Sequence, residues 1–183
     1  VGYMMPMSVT ALLGKNLFLL DGGVINDLLM KVHLISSPID WLVNGGTALG
    51  AVIAVNCWVG IPFNMLLLTS GLTGISTDIY ESASMDGANA FKRFIYITLP
   101  LMKPAMLSVL MLGFIYTFKA FDLMYIMTAG GPFNSTDVLG TYAYSKAFTQ
   151  YEFSQGSAIA MVLFACLFLV GIFYLKLLSK EDD

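Results

Sequence analysis

The chain has 183 residues, a formal net charge of −3, 57% hydrophobic and 11% charged residues, and a mean hydropathy of +0.78. Soluble domains carry about 25% charged residues, and a core of this length has no room for so much apolar surface, so lipid is the natural solvent and a soluble globular domain is excluded. No basic run occurs, which argues against a nucleic-acid partner.

The chain opens on the apolar run Val1-Gly2-Tyr3-Met4-Met5-Pro6-Met7. No basic segment precedes it and no small-residue cleavage site follows, so it reads as the remainder of a spanning helix over about residues 1–20 rather than as a signal peptide. The chain is therefore expected to be the C-terminal part of a longer protein. Residues 21–44 are polar and hold an expected surface helix over 24–32, between Gly22-Gly23 and Ser36-Ser37-Pro38. Residues 47–72 contain no formal charge and, as a helix, measure about 39 Å, enough to cross a bilayer at a tilt. Pro62, close to Gly60, is expected to kink this span.

Residues 74–93 are the most charged stretch. A third span lies within 95–121, with Lys103 and Lys119 near its ends, where both can snorkel. Residues 129–153 begin with the turn signal Gly130-Gly131-Pro132-Phe133-Asn134 and hold an expected short helix around 138–148. The fourth span, about 157–178, ends in Lys176, Lys180 and Glu181-Asp182-Asp183. The expected fold is an all-α membrane protein: one polytopic helical bundle over 1–183, with three full spans and a partial N-terminal one. Cys57 and Cys166 both lie in apolar segments and read as small fillers rather than a disulfide.

Positive charge orients the chain only weakly. Lys92, Arg93, Lys103, Lys176 and Lys180 fall on one side, and Lys15, Lys31, Lys119 and Lys146 on the other. With residues 74–93 inside, alternation puts the other two loops outside and the C-terminus inside.

The stretch 74–93 reads as a helix-turn-helix knob. Ser76 can cap a short helix running to Asp86, with Asp78 and Glu81 in its first turns, where negative charge suits the helix dipole. Gly87 is placed to end it in left-handed geometry. Phe91, Phe94 and Ile95 begin a second helix leading into the membrane, and Tyr80, Ala83 and Met85 are left available to a partner groove. The bland alternative is an ordinary capped surface loop.

Glu81-Ser82-Ala83-Ser84-Met85-Asp86-Gly87, followed after nine residues by Ile97-Thr98-Leu99-Pro100, resembles the EAA loop of ABC importer permeases, with Ser82 replacing the second position of the pattern. Asp21-Gly22-Gly23-Val24-Ile25-Asn26 is similar to that family's G-x-I-N element, and Trp58-Val59-Gly60-Ile61-Pro62-Phe63 to its W-x-G-x-P-[FY] segment. Phe121-Asp122, Thr128-Ala129-Gly130-Gly131-Pro132 and Ser135-Thr136 resemble the signature of the carbohydrate-importing, maltose-type branch. The resemblance implies a cytoplasmic coupling loop in which Glu81, Ala83, Asp86 and Gly87 dock on an ATPase subunit. It also implies a second permease subunit in a heterodimer, an extracytoplasmic solute-binding protein, and multi-pass residence in the bacterial cytoplasmic membrane.

Polar residues at membrane depth are few, and each either bonds a neighbouring helix or lines a wet cavity. Asn56, Gly60 and Phe63 share one side of a helix, placing an amide, bare backbone and an aromatic face together, a set suited to a sugar. Tyr116 and Thr117 offer a similar set on the next span. With Tyr3, the resemblance makes these the candidate substrate path. No fixed charge occupies the middle of 47–72, so neutral polyhydroxy cargo is expected, with Lys119 as the residue that could overturn this.

The chain has no G-x-x-x-x-G-K-[ST], so ATP hydrolysis is expected in a partner rather than here, and no cofactor is expected. His33 has no Cys or His at ligand spacing, so no metal site is expected. The competing reading is a fragment of an ion-coupled secondary transporter, for which the Gly60–Pro62 break speaks but no midplane acid does. A membrane enzyme ranks below both, because no polar cluster at membrane depth resembles a reacting site.

Overall fold

The computed structural model describes residues 4–179, with side chains up to 176; Tyr3, Lys180 and the acidic end lie outside the described residues. All regular structure there is helical. In chain order the elements are α1 (Met7–Leu17), α2 (Val24–Lys31), α3 (Gly45–Thr73), α4 (Thr77–Met85), α5 (Ala90–Arg93), a π-helical turn (Phe94–Thr98), α6 (Leu99–Leu101), α7 (Lys103–Phe118), α8 (Asp122–Met127), α9 (Leu139–Tyr144), a second π-helical turn (Ser145–Thr149) and α10 (Phe153–Ser179).

Two helices are long and apolar enough to cross a membrane. α3 has 29 residues and α10 has 27, about 43 and 40 Å at 1.5 Å per residue. The Asn44 side chain caps α3 by accepting from the Gly46 N–H at 3.0 Å, and the helix runs unbroken through Pro62. Expected span 95–121 is not one straight helix. The run Ala90–Leu101 and α7 meet at a 64° bend and make a third crossing only if taken together. Two prolines account for this. Pro100 has no N–H for the carbonyl four residues back, and the chain widens to a π turn just before it, where Leu99 N–H reaches Phe94. Pro104 sits in the first turn of α7, where a missing N–H costs nothing. The expected partial span over 1–20 is represented by α1, whose 11 residues cover about 16 Å.

Burial is concentrated where α1, α3 and α8 meet. Ala11, Phe18, Ala51, Val52, Val55, Leu123, Met124 and Met127 form the core cluster. Small residues set the spacing, as in membrane helix pairs generally. A Cβ added to Gly14 would lie 2.7 Å from a Val55 methyl, and one on Gly71 2.6 Å from the Ala105 Cβ, so the α1–α3 and α3–α7 crossings depend on bare backbone. Elsewhere the long helices leave their apolar side chains uncovered; in the apolar window of α10 none of the residues is buried. Cys57 is likewise exposed on α3 and fills no core, and both cysteines are free thiols. That surface is what lipid or a partner chain must cover.

The loop between α1 and α3 is organised by one side chain. Asn26, 1% exposed, donates to the carbonyls of Leu19 (3.2 Å), Leu20 (3.3 Å) and Ile39 (2.9 Å). Its carbonyl accepts from the Ile39 N–H at 3.1 Å and the Trp41 indole N–H at 2.8 Å. Removing it leaves two buried donors without an acceptor, so Asn26→Ala is expected to destabilise the fold by about 3 kcal/mol. Asn16→Ala, which loses a single exposed bond to Leu12, should change little. Thermal denaturation of both variants in detergent checks the contrast.

Candidate functional site

Two regions hold the residues singled out from sequence. In the first, α3 and α7 pack together and bring Phe63 edge-on to Tyr116, with ring centroids 5.9 Å apart and planes at 88°. Asn56, Gly60 and Phe63 are all half-buried along α3, as their i, i+4, i+7 spacing requires. No side-chain hydrogen bond ties the Asn56 amide to another described residue. Thr117 does not join them. It turns to a separate groove of about 510 Å³ with Phe118, Asp137, Val138 and Tyr142. The structure thus sets Phe63 against Tyr116, with Gly60 and Asn56 about one and two turns away on the same side of α3, and separates Thr117; Tyr3 lies outside the described residues.

The second region is the knob over α4 and α5. The Ser76 hydroxyl accepts from the Asp78 N–H at 3.3 Å, and Asp78 occupies the first turn. α4 ends in a complete Schellman motif: Gly87 N–H donates to the Ser84 carbonyl at 3.1 Å and Ala88 N–H to the Ala83 carbonyl at 2.9 Å. Gly87 has φ +76°, a conformation that a side chain resists. Asn89 caps α5 by accepting from the Lys92 N–H at 2.9 Å. Glu81, Met85 and Asp86 are exposed, and Ala83 is half-buried. Tyr80 is not available to a partner groove as expected; its hydroxyl bonds Thr98 at 2.9 Å.

Two further clusters carry no sequence expectation. Thr136, buried, bonds the Thr128 hydroxyl at 2.6 Å and the Gly131 carbonyl at 2.7 Å, so these two threonines tie the Gly-Gly-Pro loop together, while the buried Ser135 hydroxyl bonds no described residue. Phe121, Tyr125, Tyr144, Phe148 and Phe153 form a continuous row of rings 5.0 to 6.1 Å apart. The neighbouring Tyr144, chiefly through charge repulsion, raises the Tyr125 phenol above its ordinary value. Alternating spacing in α8 and α9 hints at such a row only once the two helices are known to be neighbours.

Long apolar helices, a small-residue core and a capped polar knob define a helical membrane protein with polar groups between its crossings. Residues 1–180 match the family described as the binding-protein-dependent transport system inner membrane component, and the chain belongs to that family. Among its relatives, a probable ABC transporter permease protein of Brucella suis is 34% identical over 163 residues, covering 89% of this chain and 56% of that protein. The trehalose/maltose transport system permease protein MalF of Thermococcus litoralis is 33% identical over 176 residues, covering 96% and 59%. The chain therefore spans little more than half the length of these relatives. A solved bacterial ABC transporter involved in import of the acidic polysaccharide alginate shares the fold over all of this chain and 63% of its own, with a TM-score of 0.86 at 19% identity. The resemblance to ABC importer permeases read from the motifs is borne out, and the secondary-transporter reading is set aside.

The Phe63–Tyr116 pair allows a test of the first region. Each alanine variant is expected to weaken substrate half-saturation about five- to thirty-fold. The double variant should fall short of the product, because an edge-to-face pair adds about 0.5–1.5 kcal/mol that either single change already removes. Uptake kinetics in vesicles give the three values; strict multiplicativity would place the two rings in separate roles.

Proposed function

We propose that this chain belongs to a permease subunit that moves a neutral sugar or oligosaccharide across the bacterial cytoplasmic membrane. It works with a second permease subunit and separate ATPase subunits, and an extracytoplasmic solute-binding protein delivers the cargo. The observation that carries the reading is the helix-turn-helix over residues 77–93, capped at both helices, closed by left-handed Gly87 and presenting Glu81 and Asp86 to solvent. A chain without a phosphate-binding loop must receive work by contact, and this knob is shaped for it. Glu81 pairs with a basic group in the ATPase, Ala83 and Asp86 line the contact, and Gly87 permits the turn. The family's dependence on a binding protein and the names of its relatives support the partners.

The cargo assignment rests on chemistry. α3 carries no formal charge from Gly45 to Thr73, while Asn56, the backbone at Gly60, Phe63 and Tyr116 offer hydrogen bonds and aromatic faces together. Thr117 is proposed to extend the path from its own groove, and Tyr3 is kept in the path on the family resemblance alone. A carboxylate or phosphate would call for a cation at that depth.

Orientation follows from the same reading. With Cys57 and Cys166 replaced, a cysteine at exposed Asn89 is expected to react only from the cytoplasm and one at exposed Asn134 only from outside. Reaction of both from one side would overturn the topology.

The coupling role has a sharper test. Nothing lies within 4 Å of a Cβ built on Gly87, so a side chain there costs only backbone strain of about 1 kcal/mol within this chain. Any larger effect must come from the partner. Glu81→Lys and Gly87→Asp are each expected to abolish uptake and release the ATPase on co-purification, while the permease still inserts. An unpaired charge left in the ATPase contact accounts for a loss of several kcal/mol. Normal ATPase association and normal binding-protein-stimulated hydrolysis in both variants would remove this loop from coupling.

A further inference from the structure

Resting on the assignment of residues 74–93 to ATPase contact, the geometry points to a polar brace, Tyr80–Thr98 and Arg93–Ser84, that fixes the knob to the root of the bent crossing so that the two move as one lever. No residue of α4 or α5 is buried, so no packed core holds the knob against the helices that follow. Side-chain bonds do. The Arg93 guanidinium donates from Nη1 to the Ser84 hydroxyl at 2.8 Å, and Ser84 in turn donates to the Tyr80 carbonyl at 2.7 Å. The Tyr80 hydroxyl meets the Thr98 hydroxyl at 2.9 Å, and Thr98 directs its own hydrogen to the Arg93 carbonyl at 3.4 Å. Thr98 has one hydrogen, so Tyr80 is the donor between them. The four side chains close a loop of bonds from α4 across the turn into the π-helical stretch.

The place of this loop gives it meaning. Thr98 is 9% exposed and is the last residue of the π turn, immediately before α6 and the 64° bend into α7. Arg93 has no carboxylate partner among the described residues, and its buried Nε–H bonds nothing there. Its guanidinium is positioned for geometry, not for neutralisation. A push on the exposed face of α4 reaches the crossing undiminished only if the angle between α4 and residues 94–98 is held; without the brace the Gly87 turn is a free hinge. Tyr80 and Thr98 are positioning residues, acting through the helices they join.

The test uses the full-length permease assembled with its second permease and ATPase in nanodiscs, with Cys57 and Cys166 replaced. An environment-sensitive label goes either on the knob (Lys92→Cys) or on exposed Leu110 of α7 (Leu110→Cys), and Mg-ATP is the probe, so no cargo need be known. With the native brace both labels are expected to respond to Mg-ATP. In Tyr80→Phe or Thr98→Val the knob label should respond as before while the Leu110 response falls at least three-fold. Thr98→Ser should restore it, and the Tyr80→Phe/Thr98→Val double variant should be no worse than either single one. An unchanged Leu110 response beside a normal knob response would overturn the brace alone. Loss of both responses, or of ATPase on co-purification, in Tyr80→Phe would also overturn it, by showing that the hydroxyl shapes the contact surface instead. A native knob label indifferent to Mg-ATP would overturn the assignment of the loop to the ATPase, and the brace with it.

Discussion

Lipid offers a peptide group no hydrogen-bond partner, and wherever this backbone leaves the regular helix something inside the chain must take over. α3 and α10 meet that constraint by length alone. Between them the substitutes are individual side chains. Asn26 binds carbonyls on both sides of α2, those of Leu19 and Leu20 before it and that of Ile39 after it, and accepts from Trp41. Thr136 and Thr128 close the Gly-Gly-Pro loop. The Asp137 carboxylate takes the Thr141 hydroxyl, which also accepts from the Val138 N–H at 2.9 Å at the start of α9. Asn26, Thr128 and Thr136 belong to the motifs by which the chain resembles sugar permeases, so part of that signature is structural: it satisfies irregular backbone between the crossings.

The same constraint divides the molecule mechanically. α1, α3 and α8 approach closely enough that Gly14 touches Val55 and Met127 touches its core neighbours, and such packing resists continuous deformation. Around residues 86–104 the chain is held differently. Gly87, a π turn, Pro100, Pro104 and a 64° bend follow one another with little burial. π turns and proline breaks concentrate where helices serve function. A protein that must pass work from one partner to a cargo held elsewhere needs both kinds of region, one that keeps its shape and one that re-angles.

Much of this was legible in sequence, for identifiable reasons. Charge-free runs fixed α3 and α10 because only lipid tolerates them. The Ser76 cap, the Gly87 stop and the α2 and α9 helices followed from local rules that act within a few residues. The bend did not: Pro100 and Pro104 were visible, but whether a proline interrupts a helix depends on its neighbours, and α3 continues as helix through Pro62. Tyr80 pointed outward in a helix drawn alone and inward once Thr98 was brought over it by the π turn, which shifts register by one residue. Thr117 was grouped with Tyr116 because they are adjacent, yet successive residues on a helix are about 100° apart and face different surroundings. The row from Phe121 to Phe153 needed tertiary proximity that no periodicity records.

The proposed sugar path is not enclosed by this chain alone. The groove at Thr117 and Asp137 does not include Asn56, Gly60 or Phe63, nor does a second one between α7 and α10 lined by Ser108 and Tyr174. Asn56, Gly60 and Phe63 lie half-buried along one side of α3, with exposed Tyr116 of α7 against Phe63. A sugar bound to that one side would keep much of its surface in water, and small-molecule sites bury most of their ligand. Under the proposed function the opposite wall belongs to the second permease subunit. Cargo selectivity is then shared: the residues on this chain supply an amide and two crossed rings, which suit many sugars, and the choice among them depends on the shape of the gap between the two subunits.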